Sequence, residues 1–155
     1  MNEKISKFRE IVTDTGPLLL YLTGFYNPSD LHQFNYNEDE FILFVEFLKN
    51  FKKIFTTPQV LAETSNLAKS RLKEERFSEF INFAIKPLLN LEEEYIEKNK
   101  ILKKKELPIF GITDTSLIET VRRNRLLITD DGPLFWYCKG KNMPAIHLDR
   151  IRSPL

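Results

Sequence analysis

A short apolar run that stops at a carboxylate, a glycine and a proline occurs twice in this chain, as Ile11-Val12-Thr13-Asp14-Thr15-Gly16-Pro17 and as Leu126-Leu127-Ile128-Thr129-Asp130-Asp131-Gly132-Pro133. Each run is too short for a helix, and Gly-Pro punctuates its end, so each reads as a buried strand feeding a helix through a tight turn. A chain built this way alternates strands with helices and folds as α/β around a parallel sheet. In open sheets of that kind ligands bind in the crevice at the carboxyl ends of the strands, which is where Asp14 and the Asp130-Asp131 pair fall.

The remaining segments fill in the same alternation. A strand over roughly Arg9 to Thr13 precedes a helix over Pro17 to Leu22, closed by Thr23-Gly24. Residues 24–37 read as a long loop. Its aromatics, Phe25, Tyr26, Phe34 and Tyr36 among them, either overhang the strand ends as stacking surfaces for bases or anchor the loop to the domain. Asn37 and Glu40 form a capping box for a helix that is apolar nearly all round, which predicts burial on two sides or self-association as a two-fold dimer. Lys53 to Thr56 is a brief strand, and Thr57-Pro58 opens a helix to about Lys73. Phe77 to Leu91 predicts another helix that Pro87 ends or kinks. Glu92 to Lys105 predicts one whose acid-then-base order suits the macrodipole. Leu107 to Ile112 reads as a loop before a helix opened by Thr113. Leu134 to Lys141 is a short helix and Ala145 to Leu148 the last strand, with Cys138 and His147 as packing residues. The whole is a three-layer α/β/α fold with four to five parallel strands.

The 155 residues, 42% hydrophobic and 29% charged, suit one well-folded domain over 1–155 rather than a disordered chain. A single cysteine permits no internal disulfide and no cysteine zinc site, and no apolar run reaches the ~18 residues of a membrane span, so the cytoplasm is the expected compartment. A net charge of +1 excludes nothing, since a basic nucleic-acid surface and an acidic site cancel.

Four carboxylates fall where such a fold gathers them in one crevice: Asp14 and Asp131 at strand ends, Glu63 and Asp114 on helices. Glu63 shares a row with Val60 and Leu67 and so faces inward, which is costly for a carboxylate unless it is paired or bound to a metal. Asp114 leads the stripe Leu117, Ile118, Val121, and Thr113 is equally able to cap that helix, leaving Asp114 free to point at the site. Four clustered carboxylates do not all stay ionised without cations. Mg²⁺ or Mn²⁺ is the expected counterion, with water activation and phosphodiester hydrolysis as the expected chemistry. Lys98 to Lys105 and the trio Arg122, Arg123 and Arg125 are candidates for phosphate contacts or for solvated helix ends. If the acids are only caps and turns, the chain is a non-catalytic binding module.

The residues Val12-Thr13-Asp14-Thr15-Gly16-Pro17-Leu18, Leu61-Ala62-Glu63, Gly111-Ile112-Thr113-Asp114 and Leu127-Ile128-Thr129-Asp130-Asp131, in this order across nearly the whole chain, resemble the PIN-domain ribonucleases. The resemblance implies a metal-dependent endoribonuclease that leaves 5′-phosphate and 3′-hydroxyl ends, with Asp14, Glu63, Asp114 and Asp131 as metal ligands and the Thr15 and Thr129 hydroxyls supporting them. Asp130 leaves open which of the adjacent pair binds metal. Many small members of that family are toxins of toxin–antitoxin modules, inhibited by a small antitoxin protein that covers the site; others act in RNA maturation or decay.

Overall fold

The computed structural model describes residues 3–152. Helix α1 (Glu3–Ser6) leads into β1 (Glu10–Thr13), α2 (Thr15–Tyr26), a 3₁₀ segment (Pro28–Phe34), α3 (Glu38–Leu48), β2 (Lys53–Thr56) and α4 (Pro58–Arg71). There follow α5 (Glu74–Leu89), β3 (Glu92–Glu93), α6 (Lys98–Leu102), α7 (Leu107–Val121), β4 (Leu126–Thr129), α8 (Gly132–Gly140), β5 (Ala145–His147) and α9 (Asp149–Arg152). The strands form one sheet in the order β3-β2-β1-β4-β5, every pairing parallel. Ile11, Val12, Leu127 and Ile128 are fully buried, as the central strands of a parallel sheet must be when helices cover both faces, so the fold is the expected three-layer α/β/α with five strands. Among the described residues no helix is long and apolar enough to cross a membrane.

The register sets the site. Val12 lies between Phe55 and Leu127, and the Asp14 N–H donates to the Ile128 carbonyl at 3.0 Å, one rung beyond the last paired residue of β1. Strands β1 and β4 therefore end side by side, and their acidic turns are neighbours.

Five sequence expectations are corrected. Helix α2 does not stop at Thr23-Gly24: the missing Cβ of Gly24 makes room for the Phe41 ring of α3, so this glycine is a packing contact inside the helix. Residues 28–34 are a 3₁₀ segment rather than open loop, with Asn27 as its cap. The charged stretch after Leu89 is no continuous helix. Glu92–Glu93 pair with β2, the Glu94 N–H donates to Thr56, and only Lys98–Leu102 is helical; the free edge of β2 and the buried Ile96 and Ile101 outweigh the charge pattern. Leu107–Ile112 is helical up to Gly111, with Pro108 in the favoured first turn. Gly111, at φ 82°, breaks α7 and redirects the part that carries Asp114. Helix α5 continues past Pro87 to Leu89, the proline lying close enough to the end that little is lost. The capping box of α3 forms as expected. Only Phe44 and Leu48 of that helix are fully buried, and Ile42 is 52% exposed.

Candidate metal-dependent active site

Past the ends of β1 and β4 lies a cavity of about 480 Å³ lined by Asp14, Glu63, Asp114, Asp130 and Asp131 together with Leu19, Phe34, Tyr36, Leu67, Arg71 and Phe110. All the acids singled out from the sequence line it, from four separate elements.

Asp14 is its floor. The residue is 5% exposed, and both carboxylate oxygens are bonded: Oδ1 accepts from the Thr15 N–H at 2.7 Å and Oδ2 from the Thr129 hydroxyl at 2.6 Å. The Thr129 oxygen accepts the Asp131 N–H at 3.0 Å, so its own proton goes to Asp14 and the two strand ends are joined through it. Burial pushes the Asp14 carboxyl up from 3.8 to about 6 against those two hydrogen bonds, with Asp130 and Glu63 adding to the rise. Thr15 works differently from the implied role: its backbone N–H serves Asp14, while its hydroxyl is buried without a partner among the described residues.

Asp114 stands past the Gly111 break, half-buried and accepting no hydrogen bond from a described residue. Burial pushes its carboxyl up to about 7, with Asp14, Asp131 and Glu63 raising it further. Thr113 makes no cap; the first turn after Gly111 is held instead by the Thr115 hydroxyl on the Gly111 carbonyl and the Ser116 hydroxyl on the Thr113 carbonyl. Glu63 is exposed at the cavity wall rather than facing inward. Val60 takes the buried side of α4, because three residues turn a helix by only about 300° and the two side chains diverge.

The adjacent pair divides its work. The Asp131 Oδ1 accepts the Leu134 N–H at 2.8 Å and caps α8. Asp130 lies over Gly16, where any Cβ would collide with its carboxylate, and accepts the Tyr36 hydroxyl at 2.5 Å. Gly16 therefore keeps the space that Asp130 occupies, and Asp131 is the member of the pair that raises Asp114.

Arg71 was not legible as a lining residue, whereas Phe34 and Tyr36 line the cavity from the segment expected to overhang the strand ends. Phe34 and Tyr36 are almost fully buried, so they anchor their segment rather than offering faces to bases, while Phe25 and Tyr26 pack against Phe41 and Phe80. The trio proposed for phosphate is engaged elsewhere: Arg122 pairs with Glu106 and Glu119, Arg123 with Glu94, and Arg125 with Glu10 and Glu94 while lying 3.7 Å over the Phe55 ring. Glu10 opens β1, so Arg125 is at the opposite end of the sheet from Asp14. In the lysine run Lys104 pairs with Glu119 at 3.1 Å. Cys138 is fully buried, its thiol pushed up to about 11 by that burial, and His147 packs edge-on to Phe135.

The acids facing the cavity offer oxygen donors, which suit Mg²⁺ or Mn²⁺ and not zinc. As the side chains stand, no three His, Cys, Asp or Glu among the described residues converge closely enough to hold an ion. The donor chemistry fits such a cation, and the raised Asp14 and Asp114 are the groups it would neutralise.

No protein-family model matches the sequence, and no curated protein matches it. Among solved structures the chain is similar to a domain of a functionally unknown protein from Methanocaldococcus jannaschii, with 16% identity, 90% of each chain covered and a TM-score of 0.48.

Proposed function

We propose that this chain is a divalent-metal-dependent endoribonuclease that hydrolyses RNA phosphodiester bonds, leaving 5′-phosphate and 3′-hydroxyl ends. The observation that carries the reading is the pair Asp14 and Asp114, brought into one cavity from two elements and both pushed well above the ordinary carboxylate value. Each unit of such a shift costs about 1.4 kcal/mol when the group is held ionised above its pKa. A fold that keeps two of them in one crevice gains from a bound cation. Asp14 and Asp114 would hold the ion, with Glu63 and Asp131 completing the set. When bound, Mg²⁺ or Mn²⁺ offsets charge on the scissile phosphate and activates water. The chain's own groups prepare for this. Thr129 and the Thr15 N–H fix the Asp14 carboxylate, and the Leu134 N–H holds Oδ1 of Asp131 while Oδ2 accepts no hydrogen bond from a described residue.

The non-catalytic binding module has one observation on its side: Asp14 and Asp131 already serve helix starts, and among the described residues no three carboxylates converge closely enough to hold an ion. Incubating the purified protein with single-stranded RNA separates the two. We expect cleavage with Mg²⁺ or Mn²⁺, products bearing 5′-phosphates, and none in excess EDTA. Undiminished cleavage in EDTA would overturn the metal mechanism, and RNA bound but left intact with either metal would favour the module.

The setting we propose is cytoplasmic, as the toxin of a toxin–antitoxin module. A neighbouring reading frame for a small DNA-binding antitoxin would support it, and its absence would point to RNA maturation. We also infer a two-fold homodimer through the α2 and α3 surface, where Phe25, 49% exposed, packs edge-on to Phe41 beside the exposed Ile42. Sedimentation at micromolar concentration is expected to give twice the chain mass; a monomer would count against it.

A further inference from the structure

A ribonuclease has to draw an anionic chain into a cavity whose carboxylates are Asp14, Glu63, Asp114, Asp130 and Asp131. Among the described residues one cationic side chain lines that cavity, Arg71. It is the last residue of α4 and lies on the cavity wall with Glu63 and Leu67 at successive four-residue steps. At ~1.5 Å per residue the backbone positions of Glu63 and Arg71 are about 12 Å apart along the helix, so the guanidinium and the carboxylate mark opposite ends of one wall.

Four arginines elsewhere in the fold, Arg76, Arg122, Arg123 and Arg125, are committed to ion pairs with carboxylates. Arg71, with five carboxylates around the same cavity, makes no ion pair with a described residue. Its hydrogen bond runs from Nη1 to the backbone carbonyl of Gln33 at 3.1 Å, on the 3₁₀ segment across the mouth. A carbonyl fixes one arm of the guanidinium without neutralising it and leaves the Nε and Nη2 groups for a second partner. That remaining fork matches the oxygens of a phosphate.

We propose that Arg71 is a positioning residue that grips a phosphate flanking the one that is cut, so that single-stranded RNA lies along α4 from Arg71 towards Glu63. The proposal rests on the ribonuclease reading of the same cavity. It gives the substrate an electrostatic entry that the acidic floor alone denies it, and it makes flexible, unpaired RNA the substrate class, since a rigid duplex does not follow a wall inside a cavity of this size.

The variants Arg71→Gln and Arg71→Lys test it, using a mixed-sequence single-stranded oligoribonucleotide with Mn²⁺. Arg71→Gln keeps a donor for the Gln33 carbonyl and removes the charge. We expect KM to rise about tenfold with kcat within about twofold, and the log–log dependence of binding on salt to flatten by about 0.7. The melting temperature should stay unchanged, and Arg71→Lys, which keeps the charge without the fork, should recover part of the KM. Arg71→Gln with wild-type KM and salt dependence would overturn the proposal and leave the ribonuclease reading intact. A lower melting temperature with the loss confined to kcat would also overturn it, by making Arg71 a staple for the 3₁₀ segment. Wild type that neither binds nor cuts the oligonucleotide would remove the ribonuclease reading itself, and the Arg71 assignment with it.

Discussion

Replacing Asp14 by asparagine is expected to cut RNA hydrolysis by more than about a hundredfold while leaving the metal-free fold as stable as before, or more stable. The loss of activity follows from removing a proposed ligand, since even groups one step removed from a metal typically cost ~10–100-fold. The stability expectation comes from what surrounds the side chain. Asparagine has the same shape, keeps an oxygen for the Thr15 N–H, and turns its amide nitrogen toward a Thr129 oxygen able to accept it. Burial already outweighs the hydrogen bonds that favour the Asp14 carboxylate, lifting it from 3.8 to about 6. Holding it ionised at neutral pH therefore costs on the order of 1–3 kcal/mol, a cost the neutral amide does not carry. Thermal melts at pH 7.5 in EDTA, run beside cleavage assays, decide the matter. A variant that melts well below wild type would make Asp14 a structural cap, and one that still cuts RNA would remove it from the ligand set.

Asp114 carries the second large effect, and its signature is a pH dependence. Its carboxyl rises from 3.8 to about 7, so its folded state holds a proton more tightly than its unfolded state. For a raised carboxyl the contribution to stability is fully present below about pH 4 and is lost as pH climbs through 7. In EDTA the melting temperature of Asp114→Asn should match wild type near pH 4 and exceed it increasingly towards pH 7.5. Asp114 is half-buried and its titration is shared with Asp14, so the full shift is discounted to on the order of 2 kcal/mol. That is about 4–8 °C for a chain of this size. Adding Mn²⁺ at pH 7.5 should raise the wild-type melting temperature and largely fail to raise that of the variant. A difference between the two proteins that stays flat from pH 4 to 7.5 would show that Asp114 is not held in a field of like charges.

The division between what the chain announces and what the fold decides follows the range of the forces involved. Parallel strands at β1, β2, β4 and β5, the capping box at Asn37 and Glu40, and the placement of acids at the ends of β1 and β4 are local matters, governed by run length, turn chemistry and capping within a few residues. These were fixed by the amino-acid order before any contact formed. Other features depend on partners far along the chain. Gly24 continues α2 because Phe41 fills its missing Cβ, and Glu92–Glu93 become a strand because β2 has a free edge. Arg122, Arg123 and Arg125 turn from candidate phosphate ligands into ion-pair partners because Glu106, Glu119, Glu94 and Glu10 come to meet them. The cavity mixes the two. Sequence marked Asp14, Glu63, Asp114 and Asp131, while only packing across 94 residues set Tyr36 on Asp130, and across 38 brought Gln33 to Arg71. A sequence carries the identity of each charge, but the raised carboxyls of Asp14 and Asp114 exist only once folding strips water from them and sets like charges side by side.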